Sequence, residues 1–178
     1  MRLNPENILR KLEEYHRIGE EIRELHREYG RVEGQIRSTI FKLVYRYVKD
    51  EELAHEVTNL IADVVKREDT LTPETVKERA YGRVGAELTL EIMSEEEAEK
   101  VRRTISTIPP KAYAEIIKET ADLRKKLREL GEKIRELEKR KREIFWVVEG
   151  DVISIDTMVK LVYKCIKYAL EEGTEEVR

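Results

Sequence analysis

With 178 residues, 40% of them hydrophobic and 41% charged, the chain is long enough to bury a core and too apolar to be a disordered tail. Its 8 glycines and 4 prolines leave few turns for an all-β protein, so the composition points to long helices. A formal charge of −3 argues against a surface built throughout to grip nucleic acid, and the longest apolar run, Ile144 to Val148, is too short for a signal peptide or a membrane span.

Gln35 is the only glutamine and Cys165 the only cysteine. Together with the dominance of Lys, Arg and Glu, that vocabulary is the one expected of a thermophilic protein. Cys165 sits among Val162, Ile166 and Ala169, which reads as a small core residue in a cytoplasmic chain without disulfides.

The first helix starts at Asn4-Pro5-Glu6: a capping side chain, a proline where the missing N–H costs nothing, and an acid near the positive end of the dipole. From Ile8 through Ile18, Ile22, Leu25, Val32, Ile36 and Tyr47 the apolar residues recur at threes and fours, which predicts a helix over about 5–48. Gly30 and Gly34 offer an earlier stop. Asp50 caps a shorter helix carrying Leu53, Val57, Leu60, Ile61 and Val64. Thr72 caps the next, with Pro73 at its first position, and Ser94 with Glu97 forms a capping box for a third. Pro109-Pro110 punctuates the chain.

Beyond the prolines, Tyr113, Ile116, Thr120, Leu123, Leu127, Leu130, Ile134, Leu137, Lys141, Ile144 and Val148 alternate by threes and fours without a slip. That is a coiled-coil seam, and it predicts a second long helix over about 111–149. Glu149-Gly150-Asp151 ends it, and a last helix follows from about Ser154 to Gly173. The architecture expected is therefore all-α: an elongated helical bundle with two long coiled-coil helices, in one domain spanning 1–178.

GEEIREL at 19–25 is echoed by GEKIREL at 131–137, and KLVYRYVK from Lys42 by KLVYKCIK from Lys160. Ordered matches of this kind fit two duplicated helical hairpins, 5–68 and 111–173, joined by a segment of short helices over 70–108. The natural packing pairs the segments around Ile22 and Ile134, through Ile18, Ile22, Leu25, Leu127, Leu130, Ile134 and Leu137. If the first helix does not cover this seam, a second copy must, so a homo-oligomer, a dimer first, is the expected assembly.

No residue pattern calls for catalysis, a cofactor or a metal. Glu13 with His16, and Glu52 with His55, have the Glu-x-x-His spacing of helix-bundle metal proteins, but Glu13 and His16 lie off the apolar seam. Arg124, Arg128, Arg135, Lys139 and Arg142 project in one sector of the second long helix, with Gly131 among them. The corresponding face of the first helix carries Gly19, Arg23, Arg27, Gly30 and Gly34. Internal glycines cost about 1 kcal/mol each against alanine, so they ask for a closely packed helix, a phosphate backbone, or a helix end at Gly30. The stripe is also rich in Glu-to-Lys and Glu-to-Arg pairs one turn apart, which suits a solvated face. A non-enzymatic assembly or interaction protein is the first reading, with phosphate-backbone binding through Arg23, Arg27 and the Arg124 to Arg142 stripe as the second and a helix-bundle metal-binding protein as the third. Phe145-Trp146 is the sequence's best candidate for an exposed patch.

Overall fold

The computed structural model describes residues 5–68, 70–148, 151–154, 159–160 and 162, with side chains from 10 to 144 except 69, and at 159, 160 and 162. Six helices run through them: α1 (Pro5–Val44), α2 (Glu51–Arg67), α3 (Pro73–Thr89), α4 (Glu95–Thr107), α5 (Pro110–Glu119) and α6 (Ala121–Arg142). The all-α architecture expected from the periodicity is present, with α1 as its longest element. A small antiparallel hairpin, β1 (Phe145–Val148) and β2 (Asp151–Ser154), follows α6.

Local chemistry sets most boundaries. Asp50 accepts the Leu53 N–H, Thr72 and Thr75 exchange hydrogen bonds as a capping box, and Ser94 and Glu97 do the same. Each satisfies backbone donors that a helix start leaves unpaired. Gly30 and Gly34 do not end α1, which continues through both to Val44, one turn short of the expected end near 48.

The second long helix differs from expectation at two places. At Thr120 the helix is interrupted for one residue between α5 and α6: its φ of −96° and ψ of −2° depart from the helical mean, and the Ile116 carbonyl accepts both the Thr120 N–H at 3.1 Å and the buried Thr120 hydroxyl at 2.7 Å. Past Arg142 the helix gives way to β1. The run Ile144-Phe145-Trp146-Val147-Val148 is β-branched and aromatic, and such residues favour a paired strand over a helix. Val148 pairs with Asp151 and Phe145 with Ser154. The Phe145-Trp146 patch therefore belongs to a strand by its backbone, and its side chains lie outside the described residues, as do Cys165 and most of the expected last helix with its KLVY echo.

The chain divides into two compact units, Met1–His26 with Glu132–Arg178, and Arg27–Gly131. In the first, α1 meets the end of α6. Arg140 donates to Glu14 at 2.7 Å, and the Lys141 ammonium sits 4.4 Å from the Tyr15 ring centre while its stem runs past Gly19. Ile18 and Ile134 are buried in this unit.

In the second unit α3 packs against α2, α4 and α5. The core comprises Val57, Ile61 and Val65 of α2, Val76, Ala80 and Val84 of α3, Val101 and Ile105 of α4, and Tyr113 and Ile116 of α5. Tyr113 donates its hydroxyl to the Ile105 carbonyl at 2.8 Å, so the one polar atom of this large buried ring is satisfied; burial pushes its ionisation well above the usual phenol range. Val32, Ile36, Ile40 and Val44 close the core from α1. Contacts descend α6 and α5 as they climb α1, from Tyr29 against Gly131 to Arg46 on Glu115 at 2.9 Å, so the pairing in this unit is antiparallel.

Candidate functional site

The apolar seam is spent inside the chain. Ile18, Leu127, Leu130 and Ile134 are buried, and Ile22, Leu25 and Leu137 are half-buried, in a single copy. The reason for invoking a second copy, an uncovered seam, therefore does not arise at the four buried positions.

The two Glu-x-x-His pairs face solvent. His16 lies 3.7 Å from Glu20 and His55 lies 3.9 Å from Glu51, both mostly exposed. His55 stacks on Phe41 with ring centres 4.3 Å apart. Among the described residues no three His, Cys, Asp or Glu side chains converge in a metal-binding group, and no helix is long and apolar enough to cross a membrane.

The basic stripe of α6 breaks into different environments. Arg124 is not on the surface: it is 8% exposed, donates Nη2 to the Ile117 carbonyl at 3.1 Å, and has no hydrogen-bond partner for Nε among the described residues. Burial, and after it the neighbouring Arg128, push its ionisation below the usual guanidinium range. It is a packing residue and leaves the set of candidate contacts. Its sector is the same as that of Arg142, but Arg124 turns back to the Ile117 carbonyl of α5 and is buried there. Arg128, Arg135, Lys139 and Arg142 are exposed. Lys139 faces Glu143 at 3.9 Å, and Arg142 Nε donates to the Glu138 carbonyl at 3.3 Å. Exposed Glu129, Glu132, Glu136 and Glu138 interleave with these cations, which makes the surface of α6 mixed in sign.

α1 is different. Arg23 is tied to Glu20 on the preceding turn. From Arg27 to Lys42, however, the exposed residues are Arg27, Gly30, Arg31, Gly34, Gln35, Arg37, Ser38 and Lys42, and none of them is acidic. The two carboxylates of this stretch are drawn sideways. Glu28 pairs with Lys126 of α6 at 2.7 Å, and Glu33 pairs with Lys66 of α2 at 2.5 Å. Both carboxylates stay half-buried in these pairs, and the fully exposed charges of the stretch are four cations over roughly 22 Å at the 1.5 Å rise of an α-helix.

Glycine positions sharpen the picture. At Gly19 and Gly131 a Cβ would meet a neighbour, Lys141 at 3.5 Å and Tyr29 at 3.8 Å. At Gly30 and Gly34 it would meet nothing within 4 Å. The first pair has neighbours at ordinary van der Waals distance and the second has none among the described residues, so close packing demands glycine at neither pair, and the helix-end account fits neither.

Arg31, Arg37 and Lys42 escaped the sequence reading because Glu28 and Glu33 interrupt them in the chain. Only the ion pairs to α2 and α6 show that those carboxylates leave the outward face. The signal available beforehand was angular: at about 100° per residue, Arg31 and Arg37 flank Gly30 and Gly34.

No protein family, curated protein or solved structure matches the chain.

Proposed function

We propose that this chain is a non-enzymatic accessory protein that binds nucleic acid through its phosphate backbone, using the outward face of α1 from Arg27 to Lys42. The observation that carries this reading is the sign of that face: four exposed cations, with both carboxylates of the stretch engaged by neighbouring helices. Phosphates supply the complementary charge, and the release of their counterions supplies the driving force.

A protein partner is the poorer fit. The face exposes no large apolar or aromatic side chain between Arg27 and Lys42, whereas protein interfaces draw their energy from such anchors. Nucleic-acid interfaces are more polar and more positive.

The test is fluorescence anisotropy with labelled random-sequence nucleic acid, offered both as duplex and as single strand, across a salt series. Four phosphate contacts give a slope of log K against log salt of about −3 to −4 on either form. The triple variant Arg27→Glu, Arg31→Glu, Arg37→Glu abolishes binding. Undiminished binding by that variant, or no binding of either form at 50 mM salt, refutes the reading, and so does equal competition by poly-glutamate.

A further inference from the structure

Resting on that reading, we infer that the strip of α1 bounded by Gly30 and Gly34 seats one phosphate strand of a nucleic-acid duplex, with double-stranded rather than single-stranded nucleic acid as its ligand.

The strip has a floor and two walls. Gly30, Gly34 and Ser38 follow each other at successive turns on the exposed side of α1, opposite the buried Val32, Ile36 and Ile40. At about 100° per residue, Arg31 and Lys42 lie to one side of this line, Arg27 along it and Arg37 to the other side. Among the described residues, nothing lies within 4 Å of where a Cβ would stand on either glycine. A strand laid there approaches the helix backbone closely and keeps cations on both flanks, and the Ser38 hydroxyl adds a donor of the kind that contacts phosphate oxygens.

A second copy of the chain is a poor occupant, because two such faces brought together oppose arginine to arginine.

The preference for a duplex follows from what the face lacks. Single-strand binders hold bases on aromatic platforms, and stacking supplies much of their affinity. Between Arg27 and Lys42 the aromatic residues are committed elsewhere, and exposed Tyr45, just beyond, is stacked on Phe41 with the Lys49 ammonium 5.5 Å from its ring centre. The Tyr29 ring turns toward Gly131, and Phe41 stacks between Tyr45 and His55 with ring centres 5.4 and 4.3 Å away. Arginines alone contact phosphates and sugars, which position a protein without reading sequence. A straight run of cations about 22 Å long also matches a stiff ligand, spanning roughly six or seven base pairs at 3.4 Å per pair.

The experiment compares the intact chain, the double variant Gly30→Leu, Gly34→Leu and the arginine triple variant, each titrated against a 20-base-pair random duplex and a single strand of equal length. Leucine at two open helical positions fills the strip and leaves every charge in place, and circular dichroism checks that the helices persist. The expected result is duplex binding stronger than single-strand binding by the intact chain, and about a tenfold loss of duplex affinity in the leucine variant with a shallower salt slope, because fewer counterions are released. Equal or stronger binding of the single strand overturns the duplex inference, as does a leucine variant that binds duplex like the intact chain. In both cases the arginine variant still loses binding, so the broader reading stands. If the intact chain binds neither form, both fall together.

Discussion

Replacing Gly30 and Gly34 by alanine separates what the fold needs from what a partner needs. Both residues lie inside α1, fourteen and ten residues before its end at Val44, and both are exposed with nothing within 4 Å of where a Cβ would stand. No tertiary contact is gained or lost, so the change in stability is the helix propensity difference together with the reduced freedom of the unfolded chain. Each substitution contributes about 0.8–1.0 kcal/mol, and the pair roughly 1.5–2 kcal/mol. For a chain of this length that raises the melting temperature by roughly 3–8 °C. Urea denaturation followed by circular dichroism reads the effect directly, with an unchanged slope showing that the unfolded state exposes the same surface. A double variant that is no more stable than the parent refutes the reasoning, because the glycines would then be answering a demand of the fold. Gly19→Ala is the comparison, since its Cβ meets the Lys141 Nζ at 3.5 Å, an ordinary van der Waals contact, so the same propensity gain is made beside a neighbour.

Arg124→Met removes a buried guanidinium that has one carbonyl partner and an unpaired Nε, and it raises stability by about 1–3 kcal/mol in urea melts while leaving nucleic-acid affinity unchanged; a fall in stability would show that Arg124 is held by more than the Ile117 carbonyl. Ser94→Ala removes both hydrogen bonds that its hydroxyl makes in the α4 capping box and lowers stability by about 1 kcal/mol, with amide exchange accelerated at Glu97; unaltered exchange would refute the cap. Glu56 has its ionisation raised, first by burial and then by the nearby Glu97, Glu87, Glu52 and Asp50. The folded state therefore binds the proton more tightly than the unfolded chain, so its unfavourable contribution appears as pH rises through the ordinary glutamate range and is complete above the folded value. Glu56→Gln stabilises at pH 7, and the gain vanishes once the pH is below that range; a gain that persists in acid would point to packing instead.

The residues that were legible in the sequence are those whose structure is decided within one turn of chain. Asp50, Thr72 and Ser94 cap helices because their side-chain oxygens reach backbone donors three residues on, whatever packs around them. The seam was legible for a related reason, since a three-four spacing fixes one apolar face. Where the same spacing misled, a local feature intervened: the Thr120 hydroxyl shares the Ile116 carbonyl with its own N–H where α5 ends, and the aromatic and β-branched run after Ile144 found a strand partner in Asp151–Ser154. Ile144 and Val148 kept the helical count, but period alone does not separate a short apolar strand from the end of a buried helix.

The candidate site was legible only in part, and for a reason that applies to charged faces generally. An angular projection ranks residues by direction from one helix axis, whereas exposure depends on which neighbours occupy that direction. Arg124 and Arg142 share a direction on α6, yet the first is buried near Thr120 and the second faces water. On α1 the sequence from Arg27 to Lys42 contains Glu28 and Glu33 and reads as mixed in sign. Lys126 and Lys66, both far away along the chain, draw those carboxylates off the outward face and leave Arg27, Arg31, Arg37 and Lys42 to set its potential. The cationic face is thus a product of tertiary pairing, and that has a consequence at the pairing residues themselves. Lys66→Met removes the partner of Glu33, whose carboxylate is then drawn toward water and the arginines beside it. The expected outcome is weaker nucleic-acid binding with Arg27, Arg31, Arg37 and Lys42 all intact, read as a salt slope reduced by about 1. Affinity and slope equal to those of the parent would show that Glu33 holds its position without Lys66, and that the sign of the face is set by α1 alone.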